Sequence, residues 1–212
     1  MVRKVTALKL QKRNKNRVNV YLDGEFAFGL AKIVAAWLQI GQELTEEKIA
    51  ELQGHDNVEV ALQRALNFLS YRPRSEEEVR RNLVKHGYDE PVIEEILSRL
   101  RRGGLVNDEN FAELWVENRS EFRPRGSRML RYELRRKGVS DKAIAGALEE
   151  LDEDDLALKA ARKKARRYRD LEWMDFRKKM SGFLARRGFH YGIISNVVPK
   201  IWEEVTSQHS DG

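Results

Sequence analysis

Cysteine is absent from the 212 residues, which excludes disulfide frameworks, thiolate metal sites and cysteine nucleophiles together. The same absence suits a reducing compartment, and the cytoplasm is the location expected from it. Proline is scarce, with four residues in the whole chain, so little interrupts long helices. No run of about eighteen apolar residues occurs, and residues 1–10 contain no continuous apolar segment, so the sequence predicts neither membrane insertion nor secretion. Glycine-rich phosphate loops and Gly-x-Ser-x-Gly elbows are also missing. The four histidines, His55, His86, His190 and His209, have no metal-ligand spacing. No catalytic residue, metal ligand or cofactor site is therefore expected.

What the chain does contain is charge. Charged residues make up 35% of it, above the usual quarter, and 41% hydrophobic content supplies a core. The net charge of +6 is unevenly spread: residues 1–17 hold seven Lys or Arg and no acid, and residues 159–187 hold twelve against three acids. Solvated helix faces explain any single run, but two runs favour a polyanionic partner. The acidic groups Glu149-Glu150 and Asp152-Glu153-Asp154-Asp155 fit a solvated run that caps the next helix better than paired catalytic carboxylates.

The first 55 residues alternate apolar and polar positions. Val5, Leu8 and Leu10, then Val18, Val20 and Leu22, then Phe26 and Phe28 predict half-buried strands, and Asp23-Gly24 predicts a tight hairpin. A short apolar helix is expected over residues 30–38, broken by Gly41, and Thr45 should cap another. Gln53-Gly54-His55-Asp56-Asn57 reads as a polar linker.

Beyond it the helical period takes over in three copies. Aligning Gly87, Gly138 and Gly188 places Val79, Leu130 and Met180 eight residues before, and Leu83, Leu134 and Leu184 four before. One residue after come Tyr88, Val139 and Phe189, and six after come Ile93, Ile144 and Ile194. Leu97, Leu148 and Val198 follow at ten, then Leu100, Leu151 and Ile201 at thirteen; Leu105 and Leu156 extend the first two copies. Ser75 and Glu78 form a capping box, each glycine suits a left-handed helix end, and Asp89 and Ser140 suit the caps that follow. Pro73 and Pro124 mark where the first helix of a unit has ended.

The fold expected is mainly α: three tandem three-helix, helix-turn-helix-like repeats in an elongated curved row, preceded by a small antiparallel β-hairpin or meander. The boundaries are 1–55 for the extension, 58–108, 109–156 and 157–205 for the repeats, and 206–212 for a flexible tail. The candidate binding residues are the cations of the repeat helices. These are Arg80, Arg81 and Lys85, then Arg128, Arg131, Arg135, Arg136 and Lys137, then Arg162, Lys163, Arg166 and Arg167 near Tyr168. Guanidinium groups suit phosphates and carboxylates alike, so these residues fit nucleic acid or an acidic protein groove. Trp115 and Trp202 suit the core better than a stacking surface.

Three segments carry a resemblance. Arg72-Pro73-Arg74-Ser75 with Glu78-Val79 and Leu83, Gly104-Leu105-Val106-Asn107-Asp108 with Phe111-Ala112, and Arg123-Pro124-Arg125-Gly126 with Glu133-Leu134-Arg135-Arg136-Lys137-Gly138-Val139 are similar to the RecX family of recombination regulators. The resemblance covers residues 58–205, and the third copy departs from it in having Trp173-Met174 where the others have Arg-Pro. It implies a non-enzymatic bacterial protein, a monomer without cofactors. Such a protein binds the RecA filament on single- or double-stranded DNA and inhibits its recombinase and ATPase activity. Arg72, Arg74, Arg123 and Arg125 join the helix cations in the surface so implied. A direct DNA-binding helical module is the alternative that the residues leave open.

Overall fold

The computed structural model describes residues 1–210, with side chains through Ser207. In chain order the elements are β1 (Val2–Leu10), β2 (Arg17–Leu22), β3 (Glu25–Ala31), α1 (Lys32–Ala35), β4 (Glu43–Thr45), α2 (Glu46–Leu69), α3 (Glu76–Lys85) and α4 (Glu90–Arg102). They continue as α5 (Asp108–Phe122), α6 (Ser127–Arg136), α7 (Asp141–Leu148), α8 (Glu153–Ala165), α9 (Trp173–Arg186) and α10 (Tyr191–Ser210). The chain divides into two compact units, Met1–Pro73 with Val79–Leu105, and Arg74–Glu78 with Val106–Gly212.

In the first unit the strands form an antiparallel sheet in the order β3-β2-β1-β4. Asp23 and Gly24 both take positive φ, which a two-residue hairpin turn requires, and the Asp23 carboxylate accepts the Lys4 N–H at 2.9 Å and Arg3 Nε at 3.0 Å. Val5, Val18, Val20 and Leu22 are buried, as period-two patterning predicts, but Leu10 and Phe26 are exposed; Leu30, expected to open a helix over residues 30–38, is instead buried in β3, where Val18 pairs with it, and the helix spans only Lys32–Ala35. Bulges at residues 5–7 of β1 and beside Val20 break the alternation, and Phe26 instead meets the Tyr21 ring edge-on at 6.0 Å.

The expected linker at residues 53–57 is the middle of α2, a continuous 24-residue helix capped by Thr45, whose side chain accepts from the Lys48 N–H. Tertiary capture overrides the local composition here. Arg17 donates to both oxygens of Asp56 at 3.2 and 2.9 Å, and the Ala31 N–H donates to the same carboxylate, so α2 is pinned to the sheet. That arrangement outweighs the ~1 kcal/mol cost of Gly54 in a helix. The boundary expected between 55 and 58 therefore falls inside one element.

The repeat columns form the cores. Every residue of the six apolar columns is buried except Tyr88 and Leu151, which are partly so. Gly87, Gly138 and Gly188 take φ of 79°, 80° and 89°, and the N–H after each returns to the carbonyl of Leu83, Leu134 or Leu184. Ser140 and Asp152 cap α7 and α8 through their side chains, whereas Asp89 makes no side-chain cap bond and Pro at the first turn stabilises that start instead. Leu105 departs from its column: it is 54% exposed. The left-handed Gly104 returns the Leu105 N–H to the Leu100 carbonyl, an arrangement that closes α4 without burying the side chain.

In the second unit one cluster gathers α5, α6 and α7 around Phe111, Ala112, Leu130, Leu134 and Ile144. Another gathers α8, α9 and α10 around Ala157, Ala161, Phe176, Leu184 and Ile201. Alanines on the first helix of each triplet let the other two approach closely. Trp202 is half-buried in that second cluster, 5.0 Å from Phe176 and 5.6 Å from Trp173. Helix α10 also continues to Ser210, where the sequence predicts a tail from 206; Thr206 Oγ1 donates to the Trp202 carbonyl at 3.0 Å and Val205 packs on the core. Residues 211 and 212 of that tail lie outside the described residues.

Candidate binding surface

Many of the candidate cations have carboxylate partners within the chain. In the first unit Arg80 donates to Glu90 and Glu94, which raises its pKa chiefly through the Glu94 bond and lowers that of Glu94. Arg81 and Lys85 are exposed on the same helix, and Arg72 donates to the Pro73 carbonyl at 2.9 Å. Arg80 therefore ties α3 to α4.

The second unit contains two similar clasps. In the first, Arg74–Glu78 meets the end of α6: Ser75 Oγ donates to the Lys137 carbonyl at 2.6 Å while also accepting the Glu78 N–H at 3.3 Å. Ser75 is the one fully buried polar residue among the described residues, which those bonds explain. Glu78 lies between two cations, with Lys137 Nζ at 3.0 Å and Arg74 at 3.9 Å.

The second clasp repeats this geometry fifty-one residues on, with different charge. Gly126 stands in the place of Ser75, and its N–H donates to the Arg187 carbonyl at 3.0 Å. Any Cβ on Gly126 would lie 2.4 Å from the Gly188 oxygen, so only glycine permits this approach. Arg125 and Arg187 hold the places of Arg74 and Lys137, but Met129 replaces Glu78. Arg187 donates to the Pro124 carbonyl at 2.8 Å and lies over the Phe183 ring at 4.7 Å. Burial first, then repulsion from Arg125 and Arg123, depresses its pKa. Arg128 is exposed and reaches the Ala185 carbonyl at 3.5 Å.

Beside these clasps a concave site on α5 and α6 is lined by Trp115, Arg119, Arg125, Met129, Tyr132, Glu133, Arg136 and Lys137. Glu133 is saturated: it accepts the Trp115 indole N–H at 2.8 Å, Arg119 Nε at 3.0 Å and Arg125. Arg119 and Lys137 also stand 4.1 and 4.3 Å from the Trp115 ring, so that half-buried ring is occupied by the chain's own cations. Tyr132 is 56% exposed, with Arg136 5.8 Å from its centroid.

Of the remaining candidates, Arg135 pairs with Asp141 at 2.8 Å, and Arg131 is half-buried near the same aspartate. Arg162 makes a two-point bond to Glu204 at 2.9 and 2.7 Å, which lowers the Glu204 pKa. Lys163, Arg166, Arg167 and Arg123 are exposed, and no ion-pair partner is found for them among the described residues. The sequence candidates omit Arg119 and Arg187. Arg187 was recoverable, since it precedes its glycine as Lys137 does. His86 Nδ1 lies 2.7 Å from the Asn82 carbonyl, and among the described residues no cluster of His, Asp or Glu suits a metal. No helix among them is long and apolar enough to cross a membrane.

Four family models match in chain order: the Regulatory protein RecX N-terminal domain over residues 3–45, and the first, second and third RecX three-helix domains over 61–100, 107–148 and 152–198. The chain belongs to the RecX family. The Regulatory protein RecX of Bacillus subtilis is 34% identical over 202 residues, covering 93% of this chain and 76% of that one. That of Clostridium beijerinckii is 31% identical, covering 93% and 95%. A crystal structure of regulatory protein RecX superposes with a TM-score of 0.75 at 32% identity, covering 92% of this chain and 98% of that one. Each RecX three-helix match contains one of Gly87, Gly138 and Gly188 and its columns as far as the position ten residues after the glycine. The RecX N-terminal match ends at Thr45, where α2 begins.

Proposed function

We propose that this chain is a non-enzymatic regulator that binds the RecA–DNA filament and inhibits its recombinase and ATPase activity, so modulating homologous recombination and DNA repair. The observation that carries this reading is the match to all four segments of a family of regulatory proteins. The cations add a means. Those with internal partners hold the helices, while Arg123, Lys163, Arg166 and Arg167 remain to meet carboxylates on the recombinase or phosphates on its DNA. The protein acts in the cytoplasm as a monomer and takes no cofactor.

The test is ATP hydrolysis by RecA on single-stranded DNA. Purified protein should slow it at less than one copy per recombinase subunit, and undiminished hydrolysis at excess would defeat the reading. A direct DNA-binding module is the second reading, favoured by the bare cations at the end of α8. Tight binding to naked DNA with a steep salt dependence, and no tightening by RecA, would select it.

A further inference from the structure

Trp37 stands two residues past the end of α1 and is 86% exposed, although tryptophan is on average a well-covered residue. Four residues before it Ile33 is 66% exposed, and both side chains border a hollow of about 460 Å³ in the first unit. The buried Val34, Leu38, Leu52 and Val58 line that hollow. The ion-pairing side chains around it are committed to one another: Lys48 to Glu51 at 2.8 Å, and Arg99 to Glu59 at 2.6 Å and to Glu95 at 2.5 Å. The patch therefore offers apolar surface without surplus positive charge, on a chain whose net charge is +6.

We infer that this patch pairs two copies of the chain about a two-fold axis, Trp37 of each seated in the hollow of the other. A second copy is selected because knob and hollow lie side by side on one surface, which is the self-complementarity that a two-fold interface requires. A foreign partner would have to supply both a hollow for Trp37 and a knob for this hollow, and the same patch already supplies both. Charge agrees: the surplus cations elsewhere repel another copy, whereas the ion pairs around the hollow leave little net charge between the two faces. Area agrees with a transient pair. A covered tryptophan removes about 150–250 Å² from water, so with Ile33 and the walls that each ring covers the pair buries on the order of 1,000 Å². That lies at the low end for specific interfaces and at half or less of a permanent dimer, so the pair should form at micromolar concentrations and separate on dilution. The inference goes beyond the proposed function and does not depend on it: the pair is a state of the concentrated free chain, and the monomer remains the form that acts on the filament.

The test is sedimentation velocity of the full chain from about 1 to 300 µM, over which the parent should pass from monomer to dimer. Truncating an anchor of this kind weakens binding about thirtyfold, and each pair loses two, so Trp37→Ala should weaken pairing about a thousandfold and stay monomeric throughout. Its melt should match the parent's, since the ring is exposed. His55 is exposed and lines the same hollow, so His55→Trp fills the hollow while leaving Trp37 in place. That variant should also stay monomeric, which a simple stacking of one Trp37 ring on the other would not predict.

A parent chain that stays monomeric to the top of the range overturns the inference, as does a folded Trp37→Ala protein that pairs like the parent. Pairing that survives His55→Trp rejects the seating of ring in hollow. Should Trp37→Ala fail to fold, Ile33→Lys decides in its place: it brings a charge to the same exposed border, and parent-like pairing by it rejects the patch. A monomeric parent whose Trp37→Ala variant no longer slows RecA assigns the patch to the recombinase, and the inference fails. A chain that pairs as expected yet never slows RecA would sink the regulatory reading and leave this inference standing.

Discussion

Asp108 is under two opposed influences. Its carboxylate accepts the Glu76 N–H at 2.9 Å, which favours ionisation, but half-burial and the neighbouring Glu109, Glu77 and Glu78 oppose it more strongly, so its pKa is raised. A carboxyl whose folded pKa exceeds its unfolded value binds its proton more tightly in the folded chain. Its effect on stability is then nil at low pH, turns destabilising as pH rises past the unfolded value, and reaches its full size above the folded one. Asp108→Asn keeps an acceptor for Glu76 and removes the charge. Urea melts should show the variant gaining on the parent between about pH 3 and pH 6 and holding that gain at neutrality. A stability difference that is flat across this range would mean that burial and the neighbouring glutamates do not raise the Asp108 pKa.

At the scale of elements, apolar columns and glycine turns decide which positions matter. Leu134 is fully buried on α6 between α5 and α7, so Leu134→Ala should cost about 2 to 5 kcal/mol in chemical denaturation. Leu105 occupies an equally regular place in the alignment yet faces solvent, and Leu105→Ala should fall within about 0.5 kcal/mol. Similar costs at the two positions would show that Leu105 packs somewhere in solution. This contrast also marks what can be read from a sequence. Periodicity and a left-handed glycine are local properties, so the helices of each repeat and the turns at Gly87, Gly138 and Gly188 were legible. The helix through Gly54 was not, because its cause is Arg17, thirty-nine residues from Asp56. The pairing of Lys137 was hidden for the same reason: Glu78 and Lys137 stand fifty-nine residues apart, and nothing local joins them.

Over the whole molecule, surplus charge matters only where it has no internal use. Lys137 pairs with Glu78 and Arg135 with Asp141, so removing either would confuse stability with binding. Lys163, Arg166 and Arg167, at the end of α8, offer the cleaner experiment, being exposed with no ion-pair partner among the described residues. Their neighbour Arg162 stays bonded to Glu204, which preserves the α8–α10 contact. Changing all three to Gln keeps helix propensity and length while removing charge, at a cost of at most about 1 kcal/mol each from the helix dipole. The melting transition should shift by only a few degrees. If these groups meet phosphates or carboxylates of the filament, the amount of protein giving half-maximal inhibition of RecA ATP hydrolysis should rise about tenfold or more at 0.1 M salt. The gap should narrow as salt is raised, because screening weakens the parent more than the neutral variant. Unchanged inhibition with an unchanged melt would remove the α8 cations from the binding surface and leave the task to Arg123 and the cations of the other repeats.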